Sequence, residues 1–149
     1  MMFKTHVVFG FLVGLFLIQF LHPANQILFM TLVVIASILP DIDHPDSKLG
    51  KKVKIIGFLF EHRGFFHSVF ALVLFSFPVF YFLNPLYGLA VLAGYLSHMA
   101  IDCLTHQGIM PFHPLSRQRI SGFIATNSSI EFVIFILIAA FDLYKLLNL

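Results

Sequence analysis

Five uninterrupted apolar runs, at about residues 4 to 22, 26 to 40, 65 to 84, 86 to 105 and 129 to 147, constrain this chain more than any other feature. A run of about 20 apolar residues is what an α-helix needs to cross a hydrocarbon core of about 30 Å. Lipid offers no partner to backbone N–H and C=O groups, so a segment that crosses it must pair them internally, as a helix does. The expected fold is therefore all-α, a polytopic transmembrane helical bundle of about five spans forming one domain over residues 1–149. The second run is short at about 15 residues, and counts as a span by drawing on its flanks. His22-Pro23-Ala24-Asn25 and Asn84-Pro85 are too brief to be anything but turns between antiparallel helices. The first run is expected to stay in the protein, because it ends on His22-Pro23 with no small-x-small cleavage site.

Composition closes off the alternatives. The chain is 59% hydrophobic and 11% charged, against about 25% charged in average soluble domains. With 20 Phe and no Trp, its surface would aggregate in water, and a disordered or collagen-like chain is equally excluded. A single cysteine, Cys103, can form no internal disulfide. The net charge of +2 points to no nucleic-acid partner.

Where the charges fall is more informative than their number. Lys4, Lys48, Lys51, Lys52, Lys54, Arg63, Arg117 and Arg119 lie at one set of helix ends, and Lys145 alone at the other. Basic loops are retained in the cytoplasm, so the N-terminus is expected inside and the C-terminus outside, in a multi-pass inner-membrane protein whose polar face is cytoplasmic. The two long loops on that face, about 41 to 64 and 106 to 128, mix basic and apolar residues. Such loops suit the headgroup layer and a membrane-lipid partner.

Nearly all residues able to do chemistry fall on the same face. His6 begins the first run, Asp41 and Asp43 follow the second, His62 and His67 flank the start of the third, His98 and Asp102 close the fourth, and Glu131 opens the fifth. His98-x-x-x-Asp102 places imidazole and carboxylate on one helix face, within reach of one cation. Ionisable groups inside apolar runs are costly and point to function. In Leu39-Pro40-Asp41-Ile42-Asp43-His44, the proline ends the helix and an extended turn is expected to turn both carboxylates to one side. His62-Arg63-Gly64-Phe65-Phe66-His67 brings two imidazoles together beside an arginine suited to phosphate. Taken singly, each set has an ordinary reading: helix stop, surface histidine, or Glu131 at a helix start. Loop residues His44, His106 and His113 are weaker candidates, and His22 and Asp142 fall at the opposite end.

Eight His, Asp and Glu donors exceed one tetrahedral site, which favours two or more divalent ions sharing bridging carboxylates. Zinc suits these donors best, and manganese or iron would also accept them. Asp41, Asp43 and Asp102 are the candidates to bridge metals or orient the nucleophile, and Arg63, Arg117 and Arg119 to hold an anionic, phospholipid-like substrate.

Leu39-Pro40-Asp41-Ile42-Asp43-His44, His62-Arg63-Gly64-x-x-His67-Ser68 and Gly94-x-x-Ser97-His98-x-x-x-Asp102-x-x-Thr105, in this order between apolar runs, resemble the YdjM family over almost the whole chain. That resemblance implies a polytopic helical inner-membrane protein described as a metal-dependent hydrolase. It also implies a metal site at His6, Asp41, Asp43, His62, His67, His98 and Asp102, with Glu131 a further candidate. More distantly, the pattern is similar to the all-helical zinc phospholipase C and P1 nuclease group. The expected activity is hydrolysis of a phosphoester in a lipid or other amphiphile. A non-catalytic protein with a structural metal and a metal or proton transporter are the competing readings. The transporter would need ligands deep in the bilayer and repeated halves, and this chain shows neither.

Overall fold

A computed structural model describes residues 1–43 and 63–148. His62, His44 and the lysine-rich segment that includes Lys51, Lys52 and Lys54 lie outside the described residues. Among the described residues are five α-helices: α1 (Phe3–Leu21), α2 (Gln26–Ala36), α3 (Val69–Pro78), α4 (Pro85–Cys103) and α5 (Ser129–Leu147). None of these residues forms a β-strand, and the loop before α5 carries only isolated bridges.

Helix boundaries follow local chemistry. α1 stops where His22 takes a left-handed conformation (φ 44°) and returns its N–H to Ile18, with Pro23 unable to continue the helix. Asn25 caps α2 by accepting the Leu28 N–H at 2.9 Å, and Asn84 caps α4 by accepting that of Leu86 at 2.8 Å, with Pro85 at the first helical position. Beyond Pro78, α3 widens into a π-helical turn over Val79–Leu83. Phe65–His67 forms a 3-10 turn, after which Ser68 caps α3.

Two corrections to the sequence reading arise here. The second apolar run is helical only to Ala36, giving 11 residues, or a rise of about 16 Å. Leu39–Asp43 is not an extended turn but a 3-10 helix. The fixed φ of Pro40 fits a tight helical turn as well as an extended one, so the alternation of an extended chain does not govern where Asp41 and Asp43 point. By length and apolar character, α1 and α4 are each sufficient to cross a membrane; α2 and Val69–Leu83 are shorter apolar helices. α5 is as long as α1 and α4 but carries Glu131, Asp142 and Lys145.

α4 packs against α1, α2 and α3, and α5 packs against α1. Small residues permit this closeness: a Cβ on Gly94 would overlap the Val33 carbonyl of α2, and one on Gly10 of α1 would overlap the Ser37 side chain. Phe29, Val33, Ile18 and Ala90 fill the contact between α1, α2 and α4, while Ala71, Leu72, Tyr95 and Met99 fill that between α3 and α4. The outward faces stay apolar, with Phe20, Ile27, Phe82, Leu83 and Leu137 all exposed. Apolar surface of this extent marks contact with a membrane or with another protein.

Candidate metal centre

The start of α1, the turn after α2, the turn before α3 and the end of α4 meet in one buried polar cluster. His6, Asp43, His67, His98 and Asp102 have no solvent exposure, and Asp41 is partly buried. Two trios offer ligand atoms that all lie within 4.8 Å of one another: His6, His98 and Asp102, and Asp41, His67 and His98. His98 belongs to both. Its ring stacks on that of His6 with centroids 3.8 Å apart, and its Nε2 is 3.1 Å from His67 Nε2.

The protonation state of His98 follows from its neighbour. Its Nδ1 is 2.8 Å from the Ser37 carbonyl oxygen, which can only accept a hydrogen bond, so Nδ1 carries the proton and the Nε2 lone pair faces the cluster. Asp102 spans the two trios. Its Oδ1 is 3.4 Å from His6 Nε2 and accepts the Met1 amine at 2.5 Å, while Oδ2 is 3.6 Å from His67 Nε2 and 3.7 Å from His98 Nε2. Asp41 Oδ1 approaches His98 Nε2 at 3.8 Å.

These residues fit a divalent cation. Neither ring nitrogen of His6 makes a hydrogen bond, its Nε2 coming only within 3.4 Å of Asp102 Oδ1, although a buried polar atom left in this state is costly. An ion held by the trio of His6, His98 and Asp102 would take up the free Nε2 lone pair of His6. Nitrogen and oxygen donors without thiolate match zinc, manganese or iron.

Not every sequence candidate falls in one of the two trios. Asp43 Oδ2 stands behind His67, 3.3 Å from its Nδ1, and also accepts the Arg63 backbone N–H at 3.1 Å. This is the place of a carboxylate that orients a ligating histidine. Glu131 stands apart from both trios: its carboxylate accepts from Met2 N at 2.5 Å, Thr5 Oγ1 at 3.1 Å and Asn127 N at 2.6 Å. Together with Ser128, which accepts the Glu131 N–H at 3.3 Å, it forms a helix-start clamp. Arg63 is buried, with a backbone φ of 63°, and its guanidinium is committed within the protein. NH1 donates to Thr105 Oγ1 and to the Gly108 carbonyl, both at 2.9 Å, and NH2 lies 3.1 Å from Asp102 Oδ2. Arg117 and Arg119 are exposed on the loop before α5, where Arg119 donates to the Gln107 carbonyl. The Ser37 carbonyl escapes any sequence reading, because every residue carries a carbonyl and only the fold selects this one.

An all-helical bundle with an outward apolar face and a buried His/Asp cluster at one end defines a membrane protein with a candidate metal centre. A family model described as YdjM inner membrane protein matches residues 1–147, and the chain belongs to that family. It is 41% identical over 92 residues to the inner membrane protein YdjM of Escherichia coli, a match covering 51% of this chain and 44% of that protein, and equally so to YdjM of Shigella flexneri. It is 28% identical over 134 residues to the uncharacterized protein YvsG of Bacillus subtilis, covering 86% of this chain and 83% of the relative. The matched region thus spans less than half the length of the YdjM relatives. No solved structure matches.

Proposed function

We propose that this protein is a metal-dependent hydrolase of the inner membrane, acting on a phosphoester of a lipid or other amphiphile at the cytoplasmic interface. Five spans with the N-terminus inside would place the His/Asp cluster at that interface. The observation that carries the reading is the His98 Nε2 lone pair, aimed at a point where His67, Asp41 and Asp102 also converge. A divalent ion supplies Lewis acidity, which makes water a nucleophile at neutral pH and polarises a phosphoryl oxygen. His6, His67, His98, Asp41 and Asp102 would hold two or more such ions, with zinc best suited to them. Asp102, with Oδ1 toward His6 and Oδ2 toward His67 and His98, would be the carboxylate that serves both trios. Asp43 holds the His67 ring, and Arg63 holds Asp102 while adding positive charge beside an anionic group. Asp41 is the more exposed member of the cluster, and a substrate would enter from its side.

A second reading has one observation in its favour. The cluster is closed to solvent at His6, His67, His98 and Asp102, as in a structural site that staples helix ends. Metal analysis of the purified protein, together with chelator-sensitive product release from phosphodiester and phosphomonoester lipids, separates the two. Hydrolysis requires bound metal and turnover that are both lost in His98→Ala and reduced by at least about 100-fold in Asp102→Asn. Full activity in Asp102→Asn sinks the proposal, and bound metal without turnover supports the staple.

A further inference from the structure

The segment from Leu104 to Ile124 is built as a surface lobe rather than a slack connection. Ile109 and Ile120 exchange backbone hydrogen bonds at 2.9 Å in both directions, Ile124 N donates to Leu104 O at 2.9 Å, and Gly122 N donates to Thr105 O at 3.0 Å. Ile109, Met110 and Ile124 are buried beneath it, so the lobe has its own apolar floor. Its outer side is also apolar, which a water-facing loop does not need. Leu115 is 82% exposed, Phe123 74% and Phe112 54%. Arg117 and Arg119 are exposed between them, and the lobe carries no acidic residue.

We propose that this lobe seats in the headgroup layer of an anionic phospholipid membrane, with Leu115, Phe123 and Phe112 entering the acyl boundary and Arg117 and Arg119 meeting lipid phosphates. Position supports it. Val69, the first residue of α3, donates its N–H to the Pro111 carbonyl of the lobe at 2.9 Å. Val69 and Phe70 there, and Ile130 at the start of α5, are themselves exposed apolar residues. The lobe therefore continues the outward apolar surface of the helices at one end of the bundle, where headgroups would lie if the helices span the membrane. Charge supports the lipid class, since a basic side chain near an anionic surface strengthens association by about fivefold. Membrane seating of the lobe requires no catalysis at the cluster. Its consequence for the cluster is that Arg63 ties the base of the lobe, at Thr105 and Gly108, to Asp102.

Because the chain contains no Trp, Leu115→Trp and Phe123→Trp each provide a single fluorophore at an exposed site. Each variant is reconstituted in vesicles of phosphatidylcholine with phosphatidylglycerol as the minority lipid, with bromine carried near the headgroup end of the acyl chains of one lipid or the other. The expected result is blue-shifted emission, protection from aqueous iodide, and at least about twofold more quenching by brominated phosphatidylglycerol than by brominated phosphatidylcholine at equal mole fraction. That excess disappears when Arg117→Gln and Arg119→Gln are added. Equal quenching by both lipids overturns the anionic preference. Full iodide quenching with no bromine quenching overturns membrane seating, and protection from both quenchers assigns the surface to a protein partner instead. Two fluorophore positions guard against one variant failing to fold.

Discussion

Asp43 and Glu131 are both buried carboxylates at the same end of the bundle, yet their neighbours give them different work. Asp43 faces a ring nitrogen of His67, whereas Glu131 is surrounded by three donors from the start of the chain and the start of α5. Asp43→Asn should weaken metal binding by about 10- to 100-fold, the usual cost of losing a carboxylate behind a ligating histidine. Glu131→Gln should leave metal content unchanged and lower stability by about 1–3 kcal/mol, as one charged acceptor is replaced by a donor. Metal titration and thermal unfolding of the two purified variants check the contrast. A loss of metal in Glu131→Gln with unchanged stability would restore Glu131 to the ligand set.

The contact between α2 and α4 sets both packing and the site. Gly94 lies against the Val33 carbonyl, and one turn further along each helix His98 meets the Ser37 carbonyl. Gly94→Ala places a methyl against backbone that cannot turn aside, so it should cost about 1–3 kcal/mol. It should also weaken metal binding, because moving α2 away removes the acceptor that fixes the His98 tautomer. Thermal unfolding and metal titration, each against wild type, test this; unchanged values in both would show that the two helices adjust without consequence. The spacing of His98 and Asp102 on one face was legible in sequence because helical periodicity decides it. The partners of that face were not, since they come from segments distant in the chain.

For the molecule as a whole, the proposed orientation rests on the sequence, in which eight basic residues precede or follow the apolar runs on one expected side and Lys145 alone on the other. With five spans, a reporter fused after Leu149 should be active only outside the cytoplasm, while one joined ahead of Met1 should be active inside. Both reporters on the same side would require an even number of crossings. The shortness of α2 makes it the segment to suspect in that event.

Sequence alone determined that the chain is helical and strongly apolar, where each helix begins and ends to within a few residues for α1, α4 and α5, and that His6, His67, His98 and Asp102 fall at corresponding ends of their helices. Those properties depend on local apolar length, capping residues and charge placement, all of which are written along the chain. Only the tertiary structure decided that His6, His67, His98, Asp41 and Asp102 face one another, that Asp43 stands behind a histidine, that Glu131 is occupied by backbone donors, and that Arg63 is committed to Asp102 and the lobe. Carboxylates of identical chemistry differ here only in which atoms surround them. That difference arises from contacts between residues as far apart as Met2 and Glu131, which no local pattern encodes.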